Sequence, residues 1–234
     1  MSLLLKPIYL LADSQLLFWK GSDGLFFTSV RRLIERQLPK AAYIGASNGD
    51  LPEFYSIFEA AMQSVGIYDC RMIRSSLPTD DLLFLEAADI ILLAGGDAYK
   101  GWKVFEKNGL QELIVRRYYE GALLIGVSAG AMQLGLLGWP EAGLSPDNLT
   151  EVFKLVPFII SAHDEKRGWE ELKSAVQLVD GKFRGLGLPT GGGAVYYAEQ
   201  FIEPIRHAVY EFSIENGTTL PACSIYHEHR RLIV

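Results

Sequence analysis

The chain has 234 residues, 49% hydrophobic and 21% charged, a globular composition that excludes disorder, collagen-like repeats and a coiled coil. Its formal charge of −6, without any dense Lys/Arg window, excludes nucleic acid as an expected partner. Two cysteines, Cys70 and Cys223, are too few for a disulfide framework, and no stretch reaches the roughly 18 uninterrupted apolar residues of a membrane span, so a reducing, cytoplasmic setting without a membrane is expected.

In chain order, strand-length apolar runs occur at 7–12, 41–46, 70–73, 90–94, 123–127 and 158–160. The first follows a single lysine, Lys6, and is short, the apolar stretch already meeting the charged Asp13, so it reads as a first strand more than as a secretion signal. Between the runs, 25–37, 53–65 and 110–120 return apolar residues every three or four positions, the period of amphipathic helices. Asn48-Gly49-Asp50 before Pro52, and Gly66 before the run at 70–73, mark helix boundaries. This alternation predicts βαβ units: an α/β fold, one domain over 1–234, with a mostly parallel open sheet and helices on both faces. After Leu188, Pro189-Thr190-Gly191-Gly192-Gly193 breaks the pattern; a strand is expected at 194–198 and a strand or hairpin at 222–226 and 232–234.

Gly126-Val127-Ser128-Ala129-Gly130 fits G-x-S-x-G between an apolar strand and a small-residue helix start. A nucleophilic serine on so sharp a turn needs small neighbours, and the helix behind it offers unpaired N–H groups where an oxyanion would develop. Leu93-Ala94-Gly95-Gly96-Asp97 ends the preceding strand on two glycines, so the N–H groups of Gly96 and Ala129 are the expected oxyanion hole.

A serine hydroxyl needs a base to become a nucleophile at neutral pH. Of the four histidines, His163 follows a strand and would emerge at the sheet edge beside Ser128; His207 falls in an expected helix, and His227 and His229 flank Glu228 in an expected solvent-facing strand. Glu141, Asp147, Asp164 and Glu165 are the candidates for the acid that orients the histidine. Such a site requires no metal or organic cofactor.

These segments together resemble the serine peptidases that include aspartyl dipeptidase (dipeptidase E) and cyanophycinase, built on the class I glutamine amidotransferase-like, flavodoxin-like fold. The residues that carry the resemblance are Ala94-Gly95-Gly96-Asp97, Gly126-Val127-Ser128-Ala129-Gly130-Ala131 and the segment 155–163. The resemblance implies a small peptide substrate, with dipeptides beginning in aspartate as the expected preference, and an acid between nucleophile and histidine, which by position is Glu141. It also implies that Asp97, where relatives commonly carry asparagine, borders the substrate, and that Arg167 or Arg184 would pair with a substrate carboxylate. Where a cyanophycinase-like protein has an acid, this chain has Pro189-Thr190. Two other readings fit the same residues: an esterase or amidase with this elbow, and a non-catalytic protein that holds a small carboxylate ligand.

Overall fold

The computed structural model describes residues 5–21, 24–140, 142–198, 201–215, 218–220, 223–225 and 231–232. The parallel half of the main sheet is built from β1 (Ile8–Leu11), β2 (Lys40–Ile44), β3 (Asp69–Ile73), β4 (Ile90–Leu93) and β5 (Leu123–Val127). A second group comprises β6 (Phe158–Ala162), β7 (Arg184–Leu188), β8 (Gly193–Tyr197), β9 (Phe201–Ile205), β10 (Val209–Phe212), β11 (Cys223–Ile225) and β12 (Arg231–Leu232). The eight-stranded sheet runs β12-β9-β8-β1-β5-β4-β2-β3. Strands β1 to β5 pair in parallel, whereas β8, β9 and β12 extend the sheet antiparallel.

The period of two in the apolar runs divides the core. Ile8, Leu10, Ile44, Ile91, Leu93 and Leu124 face one side, and Tyr9, Leu11, Tyr43, Ile90, Leu92 and Ile125 face the other. Strands buried on both faces must be covered on both. On one face lie α1 (Phe27–Arg32) and α2 (Pro52–Ser64), which contribute Phe27, Val30, Phe58 and Met62. The other face takes α3 (Thr79–Glu86), α4 (Ala98–Asn108), α5 (Leu110–Tyr119) and α6 (Ala129–Leu134). The expected α/β architecture with a mostly parallel sheet and helices on both faces is therefore the observed one. No helix among the described residues is long and apolar enough to cross a membrane.

Three expectations need correction. The run at 158–160 does not join the main sheet: β6 heads a second sheet, β6-β7-β10-β11, with β7 parallel to it. Strand β5 already has β1 and β4 on its two edges, so the chain leaving α6 finds no free edge beside it. The new sheet packs onto the same core through Phe158, Ile160 and Leu186, and its other side carries α7 (Glu170–Leu178) with Leu172 and Val176. The helix expected at 25–37 is only α1, since Gly24 and Leu25 pair with Lys20 and Gly21 as a short hairpin. Finally, His207 is not helical but sits in the turn between β9 and β10. The strand expected at 194–198 is β8; of the terminal pair, β11 and β12 fall within the described residues.

Candidate active site

The register sets the site. Leu93 on β4 pairs with Gly126 on β5, and Leu11 on β1 pairs with Val127, so three strands end within one residue of each other just before Ser128. The chain then reverses into α6 with Ser128 at φ 50° and ψ −110°, a conformation costly for any residue with a Cβ. What holds it there is packing and three backbone hydrogen bonds. The Ser128 N–H donates to the Leu11 carbonyl at 2.8 Å, and the Ser128 carbonyl accepts from Ala131 and Met132. A methyl group on Gly126 would meet the Gly130 carbonyl and the Ala131 nitrogen, and one on Gly130 would run into the Leu93 carbonyl. The G-x-S-x-G spacing is thus demanded by contact between a strand end and the first turn of α6.

Beside it, Gly95 lies so close that a Cβ on it would be 3.3 Å from the Ser128 Cβ. Gly96 has φ +132°, with its back against the Ser47 carbonyl, and the Asp97 N–H donates to that same carbonyl at 2.9 Å. This turn is pinned from below by Gln133, fully buried on α6, whose Nε2 donates to Ser47 Oγ (3.1 Å) and to the Ala98 carbonyl (2.9 Å). Ala129, at the start of α6, carries one of the N–H groups that a helix leaves without an internal acceptor.

His163 follows β6 and also has positive φ, 47°, with its N–H donating to the Leu188 carbonyl at 2.8 Å. Its exposed ring places Nε2 2.8 Å from Ser128 Oγ. The serine and the histidine expected to pair are therefore in hydrogen-bonding contact although their strands belong to different sheets.

The four acids fall differently. Glu141 lies outside the described residues. Asp147 is exposed on a 3-10 turn, Pro146–Asn148. Asp164 is buried and takes the Arg167 Nε at 2.6 Å. Glu165 accepts the Thr190 N–H at 3.2 Å through Oε1, while its Oε2 is buried and has no hydrogen-bond partner among the described residues. Burial alone would raise the Glu165 carboxyl; the hydrogen bonds from Thr190 and the backbone, with the nearby His163, outweigh it and hold it below the usual range.

The substrate-side expectations also separate. Asp97 caps α4, its Oδ1 accepting the Lys100 N–H at 2.8 Å. Arg167 is held between Asp164 and Glu171, and Arg184 bonds Glu211 at the start of β7, the end of that strand away from His163. His227 and His229 lie outside the described residues. Sequence reasoning did not reach Ser47 and Gln133, which support the glycine turn, or Leu17, Phe54, Ile57 and Phe58, which wall a cavity beside Ser128. The aromatic positions 54, 55 and 58 at the start of α2 were a usable signal, because that helix begins where a parallel strand ends.

A strained serine in contact with a histidine at the carboxyl edge of a parallel sheet marks the serine-type hydrolases. The family follows from comparison with known proteins. The model of Peptidase family S51 matches residues 8–203, and the chain belongs to that family, which holds dipeptidase E and cyanophycinase; it is a serine-type peptidase. The uncharacterized peptidase YgaJ of Bacillus subtilis (strain 168) is 24% identical over 167 residues, 70% of either chain. Among solved structures, a peptidase from an acI-B1 Actinobacterium superposes with a TM-score of 0.72 at 17% identity, covering 100% of this chain and 99% of its own. A Listeria monocytogenes EGD-e protein named for peptidase E gives 0.59 at 15% identity, over 86% and 98%. These two likenesses concern the fold.

Proposed function

We propose that the protein hydrolyses small peptides through an acyl-enzyme on Ser128. Ser128 Oγ attacks the carbonyl carbon as its proton passes to His163 Nε2. The N–H groups of Gly96 and Ala129 hold the oxyanion, and His163 returns the proton to the amine as the C–N bond breaks. Water then takes the place of the amine and releases the acid. The observation that carries this reading is the 2.8 Å contact between Ser128 Oγ and His163 Nε2 at a strained strand-to-helix turn. A fluorophosphonate should label wild-type protein at Ser128 and leave His163→Ala essentially unlabelled; an inert Ser128 in folded wild-type protein would overturn the reading in favour of a ligand-binding role.

The family order makes Glu141 the acid that orients His163, and Glu141→Gln should then lower kcat by roughly 10³- to 10⁴-fold. A specific observation favours a part for Glu165 as well. Its carboxylate takes up the N–H of Thr190, in the segment where a cyanophycinase-like protein would carry its own acid, and His163 is close enough to add to the hydrogen bonds that hold that carboxyl low. A negative charge there stabilises the imidazolium. Glu165→Gln should therefore lower kcat by about 10-fold with KM little changed, whereas a purely structural role would lower the folded fraction and leave kcat per active site unchanged. The same depression makes Glu165 a stabilising group above the ordinary glutamate range, with that stability lost as pH falls through its folded value.

A further inference from the structure

The cavity beside Ser128 encloses about 250 Å³. Its walls come from separate segments: Leu17 from the 3-10 turn after β1, Tyr43 from β2, Phe54, Ile57 and Phe58 from α2, and Val127 from β5. Ser128, His163 and the Gly95-Gly96 turn line the same space. An apolar cavity of roughly 150 Å³ already accepts a benzene-sized ring, so a phenylalanyl or leucyl side chain fits.

Charge points the same way. Among the described residues that line the cavity there is no lysine or arginine. Asp13 supplies a carboxylate at its edge, accepting the N–H groups of Gln15 at 2.9 Å and Gly191 at 2.6 Å. Tyr43, 3% exposed, accepts from Asn48 Nδ2 at 2.8 Å, and burial pushes its phenol up to about 12, so it stays neutral. An aspartyl side chain here would lose its water without gaining a cation and would face Asp13. The two candidate cations are elsewhere, Arg167 between two carboxylates and Arg184 on Glu211.

Direction fixes which substrate residue enters. The amine must leave toward His163 to be protonated, so the flank toward β2 and α2 belongs to the residue whose carbonyl is attacked. We propose that this residue carries a large apolar or aromatic side chain, seated in the cavity, in place of an aspartate. The proposal rests on Ser128 as the nucleophile.

The test is a panel of dipeptides with one second residue and Phe, Leu, Ala or Asp first, assayed with Ser128 titrated by fluorophosphonate. Phe and Leu should exceed Ala by about 10- to 100-fold in kcat/KM, from the burial of the larger side chain, with Asp lowest. Ile57→Arg, which brings a guanidinium to the wall, should reverse the order of Phe and Asp. Should that variant not fold, competition between Phe- and Asp-derived phosphonates for wild-type Ser128 decides, with the Phe reagent expected to win. A reactive Ser128 with an Asp-first or flat profile overturns the apolar assignment and leaves the nucleophile standing. An inert Ser128 with no dipeptide cleaved overturns both.

Discussion

Ser128→Ala should lose roughly 10⁴- to 10⁶-fold in kcat, and the double variant with His163→Ala should be no slower than either single change. The reason is that the two side chains are proposed to perform one act, a proton leaving Oγ as it bonds to carbon, so removing either partner removes all of it. The oxyanion donors would remain, because Gly96 and Ala129 contribute backbone, and they set the residual rate above water. Stability should change by less than about 1 kcal/mol: the hydroxyl is at the surface of the turn, and its hydrogen bond to an exposed imidazole has a small net worth. Steady-state kinetics beside thermal unfolding of all three variants checks both halves. Losses that multiply in the double variant would mean that Ser128 and His163 act independently.

The second large effect comes from a group without chemistry of its own. Gly130→Ala should destabilise by about 3 kcal/mol and cut kcat/KM by at least roughly 100-fold in whatever protein stays folded. The added methyl would run into the carbonyl of Leu93, at the end of a fully buried strand. Neither side yields easily: the strand is fixed by pairing with β2 and β5, and α6 is fixed by its own Gln133, bonded to Ser47 and Ala98. Relief must come from α6 lifting away, which carries Ser128 and the Ala129 N–H with it. Urea unfolding and kinetics of the variant check the paired loss; normal turnover with unchanged stability would show that the helix has room to move. Gly66→Ala is the contrast, since a Cβ there meets nothing within 4 Å and only its φ of +79° opposes the change.

The same contacts explain what was legible in the sequence. The elbow around Ser128 could be read because much of its geometry is imposed locally: Gly126 answers to contacts with Gly130 and Ala131 in the next helical turn, and only Gly130 answers to a neighbouring strand, at Leu93. The parallel strands were legible because burial on both faces leaves continuous apolar runs. His163 could be picked out as a residue following such a run, but not the sheet it follows, because strand pairing depends on which edges are free after β8 has taken the open side of β1. Glu165 stood among the acids with nothing local to single it out, since its partner Thr190 comes from a distant segment. The cavity as a whole was not legible for the same reason: a turn, two strands and a helix each contribute part of it, and only the aromatic cluster at the start of α2 marks one of its walls.

The pairing of Ser128 with His163 spans the seam between two sheets whose hydrogen-bond ladders are not shared. Neither ladder spans the gap; it is set where the chain leaves α6, with the Leu136 N–H donating to the Phe158 carbonyl at 2.9 Å and Gly135 resting against that carbonyl and the Ile160 side chain. On the proposed mechanism, the reaction is therefore a ruler laid across that seam. Substitutions among these remote apolar residues will be sifted by how far they move one sheet against the other, so that selection for turnover becomes selection for the thickness of the core.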